Sequence, residues 1–390
     1  MGTRVDVVDP AASRDQAAGT DFSFIDCDIH PHFQNGLHDL APYLDDAWRQ
    51  RLGVSDPSGS AWENMVPATK YGIPRNEYWK PPGGVMRRDS LNPDGSAPSS
   101  DPTFVAEQLL DACGVTRGLL IGGNVLSIGA IPNADIAIAI AHAYNDWMRE
   151  RWLEVDERFL GAALVAVQDP IVAAEEVERV KSWPGIAAVF MSPNRMLMGD
   201  RYYYPVYEAA EAAGLPIVAH PQGVEGLFSN APSIAGGIPS YYIELKQTTS
   251  HHIAEANSNS LIAHGVFERF PKLKVAFLES GFLWLLENMW RLDHNWKALR
   301  EDTPWLKRLP SEYIFDHIRV STQPFPEGSR KDMLALLEMM QADRLLMSSS
   351  DYPHWDFDDP LKVLRTLPRE LRQKICIDNP REFFGPRARL

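Results

Sequence analysis

The tract Asp26-Cys27-Asp28-Ile29-His30-Pro31-His32 closes the first apolar run of the chain, residues 24–30. Side chains two apart on a strand share a face. Asp28, His30 and His32 are therefore expected on one side, at the C-terminal end of the strand. Two imidazoles so placed can reach one metal, and an adjacent carboxylate can ligate it or orient them. A strand end carrying ordinary surface histidines would show the same tract. Two later apolar runs also stop in ligand-type residues: 215–220 ends in His220, and 344–350 is followed by Asp351-Tyr352-Pro353-His354. A capping histidine and a turn aspartate are the structural alternatives. Taken together, His30, His32, His220 and Asp351 supply three imidazoles and one carboxylate. That set suits Zn2+ with a position left for water or substrate, and Mn2+ or Fe2+ use the same donors.

Other ionisable groups are placed to act on a substrate. The sixth apolar run stops at Glu279-Ser280-Gly281, where Glu279 can serve as acid or base, or as a structural carboxylate bonded to backbone or Arg291. His354 follows Asp351 closely and faces the same region. His251 begins a helix after the capping-like Thr248-Thr249-Ser250 and is a candidate to line the pocket. Arg87 and Arg88, in a long loop, are candidates to hold a carboxylate, or else belong to a solvated charged turn.

These residues need a frame that brings strand ends together. Eight short apolar runs fall at 24–30, 117–122, 160–167, 186–191, 216–220, 273–279, 318–322 and 345–350. Helical patterns alternate with nearly all of them, at 104–113, 134–155, 172–182, 204–213, 248–270, 282–299, 330–341 and 361–384. Alternation of this kind predicts parallel strands with right-handed crossovers, and eight units predict an α/β fold, a (β/α)8 TIM barrel. An open doubly wound sheet is the competitor, but no strand is followed by G-x-G-x-x-G. Residues 1–22 are expected to form a flexible tail and 23–390 one barrel domain. Insertions at about 51–101 and 221–246 are expected to cover the C-terminal face. They carry Trp62, Tyr71, Tyr78, Trp79, Phe228, Tyr241 and Tyr242, which suit a flat or apolar substrate.

Composition narrows the function. Of 390 residues, 45% are hydrophobic, enough for one large core. A net charge of −14 argues against nucleic acid, while leaving room for a small anionic substrate held by a metal or a local arginine. No apolar stretch reaches membrane-spanning length, and the polar start of the chain does not read as a signal peptide. Three scattered cysteines, Cys27, Cys113 and Cys376, offer neither a disulfide framework nor a metal spacing, so a cytoplasmic setting is expected.

Four tracts resemble the amidohydrolase-related branch of the amidohydrolase superfamily, which contains aminocarboxymuconate-semialdehyde decarboxylase. They are Asp28-Ile29-His30-Pro31-His32, Pro216-Ile217-Val218-Ala219-His220, Gly265 to Val275, and Ser350-Asp351-Tyr352-Pro353, within a similarity covering about 24–384. The resemblance implies that His30, His32, His220 and Asp351 take the metal-ligand positions, and it is compatible with a homodimer. One departure stands out: the decarboxylases have a catalytic histidine where this chain has Glu279. An ordinary glutamate holds its proton less well near neutral pH. The sequence therefore favours metal-assisted hydrolysis of a small ester, thioester, lactone or amide, with Asp351 as base and Glu279 or His354 protonating the leaving group. Non-oxidative decarboxylation of an aromatic or unsaturated acid is the alternative, and a non-catalytic binding barrel is the third reading.

Overall fold

A computed structural model describes residues 23–61, 86–192, 196–221 and 242–388. Eight strands form one sheet in sequential order, each parallel to the next. They are β1 (Phe24–Ile29), β2 (Val115–Leu120), β3 (Phe159–Val165), β4 (Ile186–Met191), β5 (Ile217–Ala219), β6 (Val275–Phe277), β7 (Ile318–Ser321) and β8 (Leu346–Met347). Every residue of β1, β3 and β4 is buried, as expected of strands enclosed by helices on one side and by a barrel interior on the other. The expected (β/α)8 barrel is thus the fold.

Strand-to-helix turns use short polar side chains. Asn133 accepts from Ile136 N–H at 3.1 Å to start the helix Ala134–Met148, and Asp169 caps Pro170–Val180, whose proline occupies a position where no N–H is needed. The helix expected over 248–270 is instead two helices, Tyr242–Ala263 and Val266–Arg269. Gly265 lies between them at φ +69°, a left-handed conformation that ends the first helix. A further helix, Pro310–His317, precedes β7 where the sequence pattern suggested none.

Closure between β8 and β1 matters most for the site. β8 has only two residues, and the chain continues past it as an irregular segment laid along β1. Cys27 N–H donates to Ser348 O at 3.0 Å, Asp351 N–H to Asp28 O at 3.2 Å, and His30 N–H to Tyr352 O at 2.7 Å. Side chains add to the seam: Ser348 Oγ donates to Ile25 O at 2.6 Å, and Asp26 Oδ1 accepts Ser350 N–H at 3.0 Å. These bonds set Asp28, His30 and Asp351 side by side.

The expected tail, 1–22, lies outside the described residues, as do 62–85 of the first insertion and 222–241 of the second. The aromatic cover residues named above therefore carry no structural description, apart from the backbone of Tyr242, which begins a helix. Among the described residues, no helix is long and apolar enough to cross a membrane.

Candidate metal centre

Asp28 and His30 stand at the end of β1, His220 follows β5, and Asp351 follows β8. All are buried, and one ligand atom from each lies within 4.8 Å of the others. His30 Nε2 is 2.9 Å from Asp351 Oδ1 and 3.4 Å from Asp28 Oδ1; His220 Nε2 is 3.4 Å from Asp28 Oδ2. Two residues after the end of β6, Glu279 brings Oε2 to 3.0 Å from His220 Nε2. A second, overlapping set joins His30, Glu279, Asp351 and His354.

The tautomers of the two imidazoles follow from their backbone partners. His30 Nδ1 is 3.0 Å from Ile121 O, and His220 Nδ1 is 2.6 Å from Pro221 O. A carbonyl only accepts, so both Nδ1 atoms carry the proton. In the neutral rings each Nε2 therefore presents a lone pair to carboxylate oxygens. Neither oxygen of Asp28, nor His220 Nε2, has a hydrogen-bond partner among the described residues. Lone pairs and carboxylates converging in a buried space require a cation or extra protons. The proton balance agrees. Burial opposes a charged His220, but the facing Asp28 and Glu279 carboxylates overcome it and hold its proton affinity well above the ordinary imidazole value. Burial, then the charge of Glu279, push the Asp351 carboxyl well above the usual carboxylate range. A site that gathers protons in this way exchanges them for a divalent ion. The donors present thus fit a metal.

The arrangement differs from the sequence expectation at one ligand. His32 is absent from both sets of potential ligands, and Asp28 occupies the corresponding place. β1 ends at Ile29, and the chain then turns. Pro31 O accepts Gly123 N–H at 3.1 Å, and the His32 ring folds back so that Nδ1 lies 3.0 Å from His30 O. Its far edge rests on Gly123, where a Cβ would come within 2.4 Å of His32 Cε1 and Nε2. Burial holds this ring neutral, with its pKa lowered to about 3. Alternation along the strand applied to Asp28 and His30 but not past the strand's end.

Around the cluster, His354 Nδ1 is 2.6 Å from Asp351 Oδ1, and its side chain retains 13% exposure. Gln323, just after β7, donates from Nε2 to Asp351 Oδ2 at 3.1 Å and to Asp356 O at 3.2 Å. Sequence reasoning overlooked Gln323; its place at the end of an apolar run was the available signal. Asp26, one pleat below Asp28, is fully buried and its pKa is pushed up to about 7, chiefly by burial. Glu279 and Asp351 share an uncommon backbone, φ +46° and φ +62°.

The candidate substrate residues sit apart from these contacts. The Arg87 guanidinium forms a two-point pair with Asp89, Nε to Oδ1 at 2.9 Å and Nη2 to Oδ2 at 2.5 Å, and lies over the Phe357 ring at 4.1 Å. Its charge is therefore already matched. Arg88 begins the turn Arg88–Ser90, and its side chain falls outside the described residues. His251 lies against His252 within the long helix, the rings tilted by 37° with centroids 4.1 Å apart.

Comparison with known proteins places this geometry. Gamma-resorcylate decarboxylase from Polaromonas sp. is 27% identical over 297 residues, 71% of this chain and 85% of the relative. An amidohydrolase from Mycobacterium avium subsp. paratuberculosis superposes with a TM-score of 0.69 at 20% identity, covering 94% of this chain and 100% of the other. A dihydroxybenzoic acid decarboxylase from Polaromonas sp., described with bound manganese and the inhibitor 2-nitroresorcinol, gives 0.60 at 20% identity, covering 93% and 96%. The hydrolytic expectation is corrected by these relatives: the sequence match that spans most of both chains is to a decarboxylase, so Glu279 in place of histidine does not by itself signal hydrolysis. The amidohydrolase family profile matches residues 25–385, nearly the whole barrel, and the chain belongs to that family.

Proposed function

We propose that the protein is a metal-dependent, non-oxidative decarboxylase of a small aromatic carboxylic acid. The observation that carries this reading is the buried ligand set Asp28, His30, His220 and Asp351, on a chain that matches a gamma-resorcylate decarboxylase over most of both lengths. The mixture of carboxylate and imidazole donors suits Mn2+ better than the zinc expected from three histidines, and a structural relative is described with manganese. When bound, the ion supplies a Lewis acid that holds the substrate carboxylate and draws charge from the ring.

The chain's own groups do the rest. Ile121 O and Pro221 O fix the two imidazoles with Nε2 inward. Gln323 occupies Asp351 Oδ2, which leaves Oδ1 for the cluster. The Asp351–His354 pair is the proton source: His354 touches both solvent and the Asp351 carboxylate, so it relays a proton inward. That proton adds to the ring carbon bearing the carboxylate. The electron pair of the breaking carbon–carbon bond stays with the ring, and carbon dioxide leaves. No oxidant is needed.

The test is to incubate the Mn2+-loaded protein with hydroxybenzoates in D2O, following carbon dioxide and the deuterium content of the phenol formed. One deuterium at the former carboxylate carbon is expected. Cleavage of esters or amides, with solvent oxygen entering the acid product and no carbon dioxide from any aromatic acid, would overturn the proposal.

A further inference from the structure

We infer that Glu279 is a direct ligand of the metal in the resting protein, rather than a proton donor beside it. This rests on the reading of the cluster as a metal centre and names one more of its ligands. Donor atoms about 2.1 Å from one ion lie about 3 Å apart when they are neighbours in the coordination shell. Glu279 Oε2 is 3.0 Å from His220 Nε2, within the same range as the other close pairs, His30–Asp351 at 2.9 Å and His220–Asp28 at 3.4 Å. A carboxylate oxygen of Glu279 also lies within 4.8 Å of ligand atoms of His30 and Asp351.

The obvious alternative is a hydrogen bond from His220 to Glu279. It would need a proton on Nε2. Yet Nδ1 already carries the ring's proton, because Pro221 O at 2.6 Å can only accept. The hydrogen bond therefore needs a second ring proton, placed between Nε2 and Oε2, and a divalent cation takes that proton's place. The backbone supports the placement. Glu279 adopts φ +46°, outside the conformation of a continuing strand, and its N–H is held by Ser321 Oγ at 3.0 Å. A strained residue pinned by its neighbour turns its carboxylate toward β5. His30 has a single nitrogen free for coordination, since Nδ1 is on Ile121 O, so the two overlapping sets describe one ion rather than two. With Glu279 included, and with His354 Nδ1 turned to Asp351 Oδ1 at 2.6 Å, the shell holds three carboxylates and the two imidazoles of His30 and His220. Such an oxygen-rich set favours Mn2+ relative to Zn2+ more strongly than four donors would.

The experiment titrates metal-free wild type, Glu279→Gln and Glu279→Ala with Mn2+, reading free ion and the bound-ion spectrum by electron paramagnetic resonance. Melting of the metal-free proteins checks that each variant folds. Losing a buried partner of a metal's ligands costs about 10–100-fold in affinity, so losing a ligand is expected to weaken Mn2+ at least about 100-fold. The bound spectrum should change, and the Zn2+ affinity should fall less than that for Mn2+. Mn2+ affinity within about threefold of wild type in either folded variant, with an unchanged bound spectrum, would overturn the inference. Decarboxylation is scored separately. Tight Mn2+ binding that depends on Glu279, without turnover of any aromatic acid, would sink the proposed function and leave this ligand in place. Turnover by wild type, with Mn2+ held normally by Glu279→Gln, would do the reverse.

Discussion

Replacing Gln323 with methionine isolates what holds Asp351. Methionine keeps the length of the side chain and removes its donor. In the native chain, Gln323 Nε2 donates to Asp351 Oδ2 at 3.1 Å, and both residues are fully buried. A hydrogen bond to a charged group contributes about 2 kcal/mol, and leaving a buried carboxylate oxygen without its donor costs a similar amount. If that energy serves to fix the ligand, it appears as about 30-fold weaker metal binding, since each tenfold step is about 1.4 kcal/mol. This lies within the ~10–100-fold range for groups that orient metal ligands. The backbone bond from Gln323 N–H to Ser349 Oγ, 3.2 Å, is retained in the variant. Isothermal titration of the metal-free protein with Mn2+ measures the loss directly. Affinity equal to wild type, alongside a lower melting temperature, would refute the reasoning, because packing alone would then account for the residue.

Three further outcomes can be measured. His354→Gln should lower kcat by ~10²–10⁴, the usual span for a positioned acid, while Mn2+ affinity stays within about tenfold; unchanged turnover in saturating substrate would remove His354 from the proton relay. Gly123→Ala should destabilise the fold by about 1–3 kcal/mol in urea unfolding, because its Cβ would sit 2.4 Å from the buried His32 ring; a neutral effect would mean that the ring is free to move. Asp358→Asn should become progressively more stabilising as pH rises. Burial chiefly raises the Asp358 pKa from 3.8 to about 7, so the folded state holds the proton more tightly than the unfolded chain. Wild-type stability from this group is therefore fully present below about 4 and lost up to about 7, whereas asparagine does not ionise. A gap between the two melting curves that stays flat from pH 4 to 8 would contradict that assignment.

The barrel was legible because its signal is repeated eight times. Each strand is a short run, fully buried except for Thr116 and Arg117 of β2, and small errors at its ends do not alter the order of elements. The missed helix Pro310–His317 is only eight residues long; its signs were a proline at its first position, Glu312 accepting Leu309 N–H at 2.9 Å, and Pro310, Tyr313, Ile314 and His317 buried at helical spacing. At the site, the outcome divided along the strand ends. His220 and Asp351 each stop an apolar run, and that alone marked them. His32 looked equivalent to His30 because a period of two was extended past the last paired residue. The bonds that end the strand there run to Gly123 and Tyr352, far away in sequence, so no local pattern announces the turn. Gln323 escaped notice for a related reason: an amide has no distinctive spacing, and its importance depends on a carboxylate 28 residues later.

The two left-handed residues of the cluster connect the fold to its chemistry. Non-glycine residues rarely take φ between +40° and +65° outside turns, and each such position costs of order 1–3 kcal/mol. Here two of them, Glu279 at φ +46° and Asp351 at φ +62°, follow strands on either side of β7, whose end is followed two residues later by Gln323. Ser321 Oγ holds the amide of Glu279, and Gln323 Nε2 holds the carboxylate of Asp351. β7 contributes no ligand of its own, yet it restrains both carboxylate arms that flank it. A strand left without proposed ligands is therefore the part of this barrel that fixes the geometry of the proposed metal centre, and relaxing it through Ser321 or Gln323 should loosen the site without touching any group proposed to bind the ion.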